Sequence, residues 1–186
     1  MTAKTDLRRQ LRARRSAFVR EPGAMQSPFV ASLFVAERVK PHLAGAGIVA
    51  AYVSDGEEVD PLPILFQALD LGLDLALPRV TSREAPISFH RWLPGDELVP
   101  GLAGLLQPRA DALLAEPDLI LAPLVGFDRR LNRLGQGAGH YDRAFASRPA
   151  ARRIGLAWSV QEVDGLDPDP WDVPLHGIAT EREWIE

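Results

Sequence analysis

An α/β fold, with a mainly parallel sheet covered by helices on both faces in three αβα layers, is what this chain predicts. Three observations carry it. Short apolar, β-prone runs (48–53, 73–78, 119–122 and 153–158) alternate with stretches of helical period. The run Leu119, Ile120, Leu121, Ala122 shows no polar alternation, as a strand buried on both faces would. Downstream of it, Gly135, Gly137 and Gly139 precede a helical segment, so they fall at the carboxyl end of the sheet, where such folds bind ligands.

In order, Asp6 is expected to cap a helix running to about Val19, with Leu7, Leu11 and Phe18 as its apolar stripe. Lys4, Arg8, Arg12 and Arg15 recur on another face. Glu21, Pro22 and Gly23 break the helix. Ser27 followed by Pro28 starts a second, since proline suits the first helical position, with Val30, Leu33 and Phe34 expected inward and a stop near Pro41. The first strand, Ile48 to Val53, leads through an acidic loop to Pro61 and a helix that ends at Gly72. Leu73 to Pro78 is the second strand, and Ile87 to Leu93 alternates as a strand with one exposed face would. Pro94 to Ala110 reads as an ordered loop, rich in Pro and Gly. Pro123 and Gly126 end the buried strand, and His140 to Arg148 can form a helix. Arg153 to Trp158 is a further strand, Asp164 to Pro174 is turn-rich, and Gly177 to Thr180 is a last extended piece.

Length and composition narrow the class. At 186 residues, 46% hydrophobic and 25% charged, one domain spanning 1–186 is expected. The absence of cysteine excludes disulfides, thiolate metal sites and a cysteine nucleophile. The N-terminus lacks the apolar core of a signal peptide, and no apolar run approaches the roughly 20 residues of a spanning helix. A cytoplasmic monomer, with neither membrane nor nucleic acid as partner, is the expectation. Net charge is −4 although the first twenty residues are strongly basic, so the body is acidic, unlike the broad basic face of nucleic-acid binders.

The glycine stretch is neither a Walker loop, since the only lysines are Lys4 and Lys40, nor a dinucleotide fingerprint, since its spacing is G-x-G-x-G. Glycines there let backbone approach a ligand, and the free N–H groups of a helix start favour an anion. With Arg129, Arg130 and Arg133 nearby, the stretch reads as a phosphate site; a plain tight connection is the alternative. Asp142 in the first helical turn suits either the helix dipole or a Mg²⁺ ligand beside phosphate, and Asp172 in Pro170-Trp171-Asp172-Val173 suits either a turn or a second ligand. Lys4 and Arg8, four residues apart, suit a solvated face as well as a phosphate. The histidines His42, His90, His140 and His176 show no metal-binding spacing, and there is no G-x-S-x-G elbow.

Taken together these segments resemble the 5-formyltetrahydrofolate cyclo-ligase (5,10-methenyltetrahydrofolate synthetase) family. The resemblance runs over nearly the whole chain: Lys4-x-x-Leu7-Arg8, Glu58-Val59-Asp60, Leu77-Pro78-Arg79, Trp92 with Gly95, and Pro123 to Asp128. It continues through Asn132 to Gly135, Tyr141-Asp142-Arg143, Trp171-Asp172 and Ile178 to Glu181. It implies ATP- and Mg²⁺-dependent cyclisation of 5-formyltetrahydrofolate to 5,10-methenyltetrahydrofolate, through a phosphorylated formyl group. It implies that Lys4 and Arg8 hold ATP phosphates, and that Arg133, Leu134, Gly135, Gln136, Gly137, Ala138, Gly139, His140 and Tyr141 cradle the nucleotide. Gln136 to His140 would also face the folate, with Val53 and Glu58 binding it. Asp142 and Asp172 would hold Mg²⁺, and Arg133, Tyr141 and Asp142 would serve the chemistry. Gln136, Ala138 and His140 depart from the family pattern, which more often has an aromatic or basic residue, a glycine or lysine, and an aromatic at these places. The alternatives are a sugar-phosphate isomerase or CoA-transferase of related fold, and a non-catalytic folate- or nucleotide-binding relative.

Overall fold

The structure, a computed structural model, describes residues 3–21 and 27–186. Its N-terminal helix, α1 (Ala3–Arg20), is followed by α2 (Pro28–Val39), a 3₁₀ turn at Lys40–His42, β1 (Ile48–Ala50) and α3 (Leu62–Asp70). Then come β2 (Asp74–Arg79), β3 (Ser88–Arg91), β4 (Leu98–Pro100), β5 (Leu106–Pro108), β6 (Leu114–Ala115) and β7 (Leu119–Pro123). The glycine region contains β8 (Gly126–Phe127), β9 (Arg133–Leu134) and α4 (His140–Ser147), and the chain closes with β10 (Arg152–Leu156), β11 (Gly177–Ala179) and β12 (Trp184–Ile185).

Eight strands form one sheet in the order β12-β11-β10-β7-β1-β2-β3-β6. The five central strands, β11 to β2, pair in parallel, and antiparallel β12, β3 and β6 complete the two edges. Successive residues of each parallel strand point to opposite faces. Val49, Leu75, Leu77, Leu119 and Leu121 pack with Val35 and Ala36 of α2 and Ile64 and Leu65 of α3. Ala50, Ala76, Ile120 and Ala122 pack with Ala144 and Phe145 of α4 on the other face. The three-layer α/β expectation therefore holds. The small alanines on the second face leave room for α4 and the bulky Phe145.

Several local expectations change. The Ser27 N-cap is as expected: its hydroxyl accepts from Val30 N at 3.2 Å, with Pro28 opening the helix. Leu33 and Phe34 do not face inward, however; they are about half exposed, and Ala31, Ser32, Val35, Ala36 and Val39 form the buried stripe. Small residues let α2 lie close to the sheet, so the larger side chains turn outward. Helix α1 is described from Ala3, before Asp6, and the break expected at Pro22 and Gly23 lies outside the described residues. Phe89 and His90 are both buried, Phe89 in the cluster on the α4 side and His90 with Nδ1 2.7 Å from Ala112 O, so β3 has no freely exposed face. Pro94 to Ala110 contains the β4–β5 hairpin around Gly104, whose φ of +78° permits the turn. Gly126 does not merely end β7: it opens the β8–β9 hairpin.

That hairpin is held by Asp128. Its Oδ1 accepts from the backbone N–H of Arg130 and of Asn132, both at 3.0 Å, and its Oδ2 from Asn132 Nδ2 and Leu166 N, both at 2.9 Å. The connection passes through Leu131 at a φ of +65°, which the buried carboxylate stabilises. Burial opposes the charge, but these donors outweigh it and hold the Asp128 pKa below the ordinary aspartate value. Its contribution to stability is therefore present above the unfolded aspartate pKa and lost as pH falls through the lowered folded value. Asp128→Ala should destabilise the fold by about 2–4 kcal/mol in denaturant melts at pH 7, with the difference shrinking in acid. A variant as stable as the parent at pH 7 would contradict this. Among the described residues, no helix is long and apolar enough to cross a membrane.

Candidate active site

The loops after β1, β2 and β7 open on the same side of the sheet, and a cavity of about 880 Å³ lies there. From β1 come Val53, Asp55 and Glu58; from β2, Pro78 and Val80; from β7, Pro123. The glycine stretch and α4 form another wall, α1 supplies Lys4 and Arg8, and the C-terminal segment adds Asp169, Trp171 and Asp172. Every site residue that the family resemblance implies lines this one cavity: Lys4, Arg8, Val53, Glu58, Arg133 to Asp142 without a gap, and Asp172.

Helix α1 reaches the cavity because Leu11 anchors it. Leu11 is fully buried against Val125 and Leu134, and a Cβ on Gly126 would collide with its side chain. Glycine at 126 is thus what lets the helix dock. From this anchor Arg8 extends to donate through Nε to Gly135 O at 2.8 Å, and Lys4 pairs with Asp169 at 2.6 Å and Asp172 at 3.6 Å. Burial opposes the Lys4 charge, but the two aspartates outweigh it and raise its pKa above the ordinary lysine value. Arg12 donates to Gln136 Oε1, a further clasp between helix and glycine stretch.

Gly137 and Gly139 adopt φ values of +106° and +67°, which let the chain turn tightly into α4. Gly139 is the N-cap and cannot cap through a side chain, so the first turn of α4 faces the cavity without an internal side-chain acceptor. Arg133 is nearly buried, pairs through Nη2 with Asp142 Oδ1 at 2.8 Å, and lies 5.7 Å from the ring centres of both Tyr141 and Phe145. Arg129 and Arg130 do not join it. Arg129 turns outward to Glu162 and Glu183, and Arg130 to Asp128 and Leu166 O, so the cations that line the cavity are Lys4, Arg8, Arg133 and Arg143.

The other end is more apolar and carries a buried acid. Burial pushes the Glu58 carboxyl up to about 7, neighbouring Asp55 adds to this, and the Arg15 guanidinium, 3.4 Å away, opposes it. Tyr141 is pushed above its ordinary phenol value by burial and by Glu58, and its hydroxyl has no hydrogen-bond partner in the protein. His140, which stands where the family more often has an aromatic, has Arg143 Nη2 3.0 Å from its Nδ1, and burial followed by the Arg143 charge keeps its pKa below normal. At neutral pH it presents a flat, neutral ring.

Part of this wall comes from residues outside the motifs. Leu102, Leu105 and Leu106 of the β4–β5 hairpin line the cavity while remaining more than two-fifths exposed, and Trp171 is 68% exposed beside it. Two β-prone triplets flanking a glycine, Leu98-Val99-Pro100 and Leu105-Leu106-Gln107, were the available hairpin signal. Arg15, which the helical spacing groups with Lys4, Arg8 and Arg12 away from the apolar stripe, is only 4% exposed and is bonded to Asp55 and Glu58. Its 11-residue separation from Lys4 is three helical turns, which returns it to the docked face.

Comparison with known proteins identifies the family. The model of the 5-formyltetrahydrofolate cyclo-ligase family matches residues 1–181. The chain is 32% identical over 163 residues to the 5-formyltetrahydrofolate cyclo-ligase of Mycolicibacterium smegmatis, covering 81% of this chain and 84% of that protein. It is 31% identical over 147 residues to that of Escherichia coli K12, covering 75% and 81%. The NMR structure of Aquifex aeolicus 5,10-methenyltetrahydrofolate synthetase superposes with a TM-score of 0.80 at 29% identity, covering 99% of this chain and 92% of that one. The chain belongs to the 5-formyltetrahydrofolate cyclo-ligase family.

Proposed function

We propose that this enzyme couples ATP cleavage to ring closure of 5-formyltetrahydrofolate, yielding 5,10-methenyltetrahydrofolate, ADP and phosphate. The family converts the first folate to the second. The observation that carries the finer reading is the cavity's division into a cationic, backbone-rich end and an apolar end with one buried acid. Phosphates suit the first and a flat, N–H-bearing heterocycle suits the second.

The chemistry needs both ends at once. A formamide oxygen is a poor leaving group. In the proposed sequence it attacks the γ-phosphorus of ATP, the bond to ADP breaks, and an iminium phosphate results. N10 then attacks the formyl carbon, loses its proton, and phosphate departs with the carbon–oxygen bonding pair. Arg133, fixed by Asp142 and by two aromatic rings, is preorganised to stabilise charge on the transferring phosphoryl group. Lys4 and Arg8 hold the phosphates from the α1 side, and the amides of Gly135 to Tyr141 hold them from the other. Tyr141, with a hydroxyl not used within the protein, orients the reacting groups. Glu58 accepts N–H bonds from the pterin, Val53 packs against it, and Gln136 to His140 face it across the cavity.

Among the described residues, no group of three or more His, Asp or Glu side chains could hold a metal unaided. Two cavity carboxylates, Asp142 and Asp172, fit a Mg²⁺ that takes its remaining ligands from phosphate and water. When bound, Mg²⁺ supplies charge neutralisation for the nucleotide phosphates. Lys4 lies 3.6 Å from Asp172, so its ammonium faces the same carboxylate.

Lys4→Met should raise the KM for ATP about tenfold, as expected for loss of one charge-assisted bond, with little change in folate KM. The increase should shrink at high salt, since the attraction in the parent enzyme is partly screened. An unchanged ATP KM at low salt would make Lys4 a surface cation paired with Asp169 only. The function itself is tested by following methenyl product with 5-formyltetrahydrofolate in the presence and absence of ATP and Mg²⁺.

A further inference from the structure

Arg15 does not line the cavity, yet it is buried and ties two cavity carboxylates together. Its Nη2 lies 2.9 Å from Asp55 Oδ2 and its Nη1 lies 3.4 Å from Glu58 Oε1. Asp55 in turn accepts the backbone N–H of Glu57 at 3.0 Å and of Glu58 at 2.9 Å through Oδ1. The loop after β1 is therefore pinned by one guanidinium on its side chains and one carboxylate on its backbone. Ser16 and Arg20 of the same helix hold Glu57, and Trp158 Nε1 donates to Glu57 O at 2.9 Å. Glu58 is thereby left with its side chain 11% exposed and facing the cavity.

A buried ion pair is a poor device for stability alone, since desolvation consumes much of the attraction and an apolar residue could fill the site. An apolar side chain here would extend the Leu11 and Phe18 stripe. Arginine instead leaves its Nε buried and without a partner. What it supplies is positive charge behind an acid that the cavity presents to a ligand.

We infer that Arg15 is a positioning residue for folate recognition: from behind the cavity wall it orients Glu58 and favours its anionic form, which accepts the N–H donors of the pterin. This rests on the reading that the cavity binds a folate. The groups around Glu58 make Arg15 the decisive one. Asp55 from its own loop opposes its ionisation, Tyr52 from the end of β1 and Tyr141 from α4 are neutral phenols, and Arg15 from α1 is the cation that favours it. The same helix carries Lys4 and Arg8 at the phosphate end, so one docked element serves both substrates.

The test compares the parent with Arg15→Met, which keeps an unbranched apolar stem, and Arg15→Lys, which keeps the charge. The Glu58 carboxyl is titrated by ¹³C NMR, and 5-formyltetrahydrofolate and ATP binding are measured by calorimetry across pH. In Arg15→Met the Glu58 midpoint should move up by about one pH unit or more. Folate affinity at pH 7 should fall about fivefold or more and recover as pH rises past the new midpoint, with ATP affinity unchanged. Arg15→Lys should restore part of both, and Arg15→Met added to Glu58→Gln should cost less than twofold further. An unmoved Glu58 midpoint overturns the proposal even if the melting temperature falls, because that is what a purely structural role predicts. A moved midpoint with an unmoved folate profile overturns it too. A parent protein that does not bind 5-formyltetrahydrofolate would instead sink the folate reading, while the titration would still decide whether Arg15 sets the charge of Glu58.

Discussion

Asp142→Asn should leave the fold intact and lower kcat by about two orders of magnitude or more. Its Oδ1 holds Arg133 Nη2 at 2.8 Å, and its side chain is only 13% exposed in the cavity wall. Asparagine keeps the volume and one acceptor oxygen, so the loss is one of charge. Two things follow. Arg133 loses the partner that fixes its guanidinium, and the proposed Mg²⁺ loses one of two protein carboxylates. The two effects separate experimentally: raising Mg²⁺ restores a metal ligand's loss in part and a misoriented arginine's loss not at all. Turnover like the parent's at every Mg²⁺ concentration would return Asp142 to the bland reading of an acid at a helix start.

Glu58→Gln should weaken folate binding by about tenfold to a hundredfold, while ATP binding changes little. The parent enzyme should bind folate more tightly as pH rises through about 7, the value to which burial pushes this carboxyl, because only the anion offers both oxygens as charged acceptors to N–H donors. Glutamine removes that dependence. Stability should move the opposite way. A carboxyl with a folded pKa above its unfolded value disfavours the folded state once pH exceeds the unfolded value, with the full effect present above about 7. Glu58→Gln should therefore be more stable than the parent above pH 7, by something on the order of 3 kcal/mol at most, and no different near pH 4. Gain of stability with loss of binding marks a residue retained for its ligand. Equal loss of affinity for both ligands, or for neither, would remove Glu58 from the folate site.

Much of this molecule was legible in its sequence because local and long-range signals agree. The apolar run at Leu119 to Ala122 became the central strand β7, buried on both faces, and Ser27-Pro28 started α2 as read. Gly135 to Gly139 stands at the ligand-binding side of the sheet, and the residues carried by the family resemblance converge on one cavity. What was not legible depends on partners distant in the chain. Leu33 and Phe34 look like core residues, yet α2 buries its smaller side chains because the sheet packs close beneath it. Arg129 and Arg130 resemble phosphate ligands until Glu162, Glu183 and Asp128 are seen to claim them. Arg15 reads as one more cation on a basic helix, and only the approach of the β1 loop shows that it is buried behind Glu58. The β4–β5 hairpin was hidden by its Pro and Gly content, although its leucines line the cavity.

In the proposed reaction one cavity holds ATP phosphates against α1 and the glycine stretch while a formylated folate lies against Glu58. The most direct measurement is the rise in absorbance of methenyltetrahydrofolate when the protein is mixed with 5-formyltetrahydrofolate, with ADP counted in the same reaction. One ADP per methenyl product, and no product when either ATP or Mg²⁺ is withheld, is the expected result. Methenyl product formed at full rate without ATP, or ATP cleaved at the same rate without folate, would contradict it.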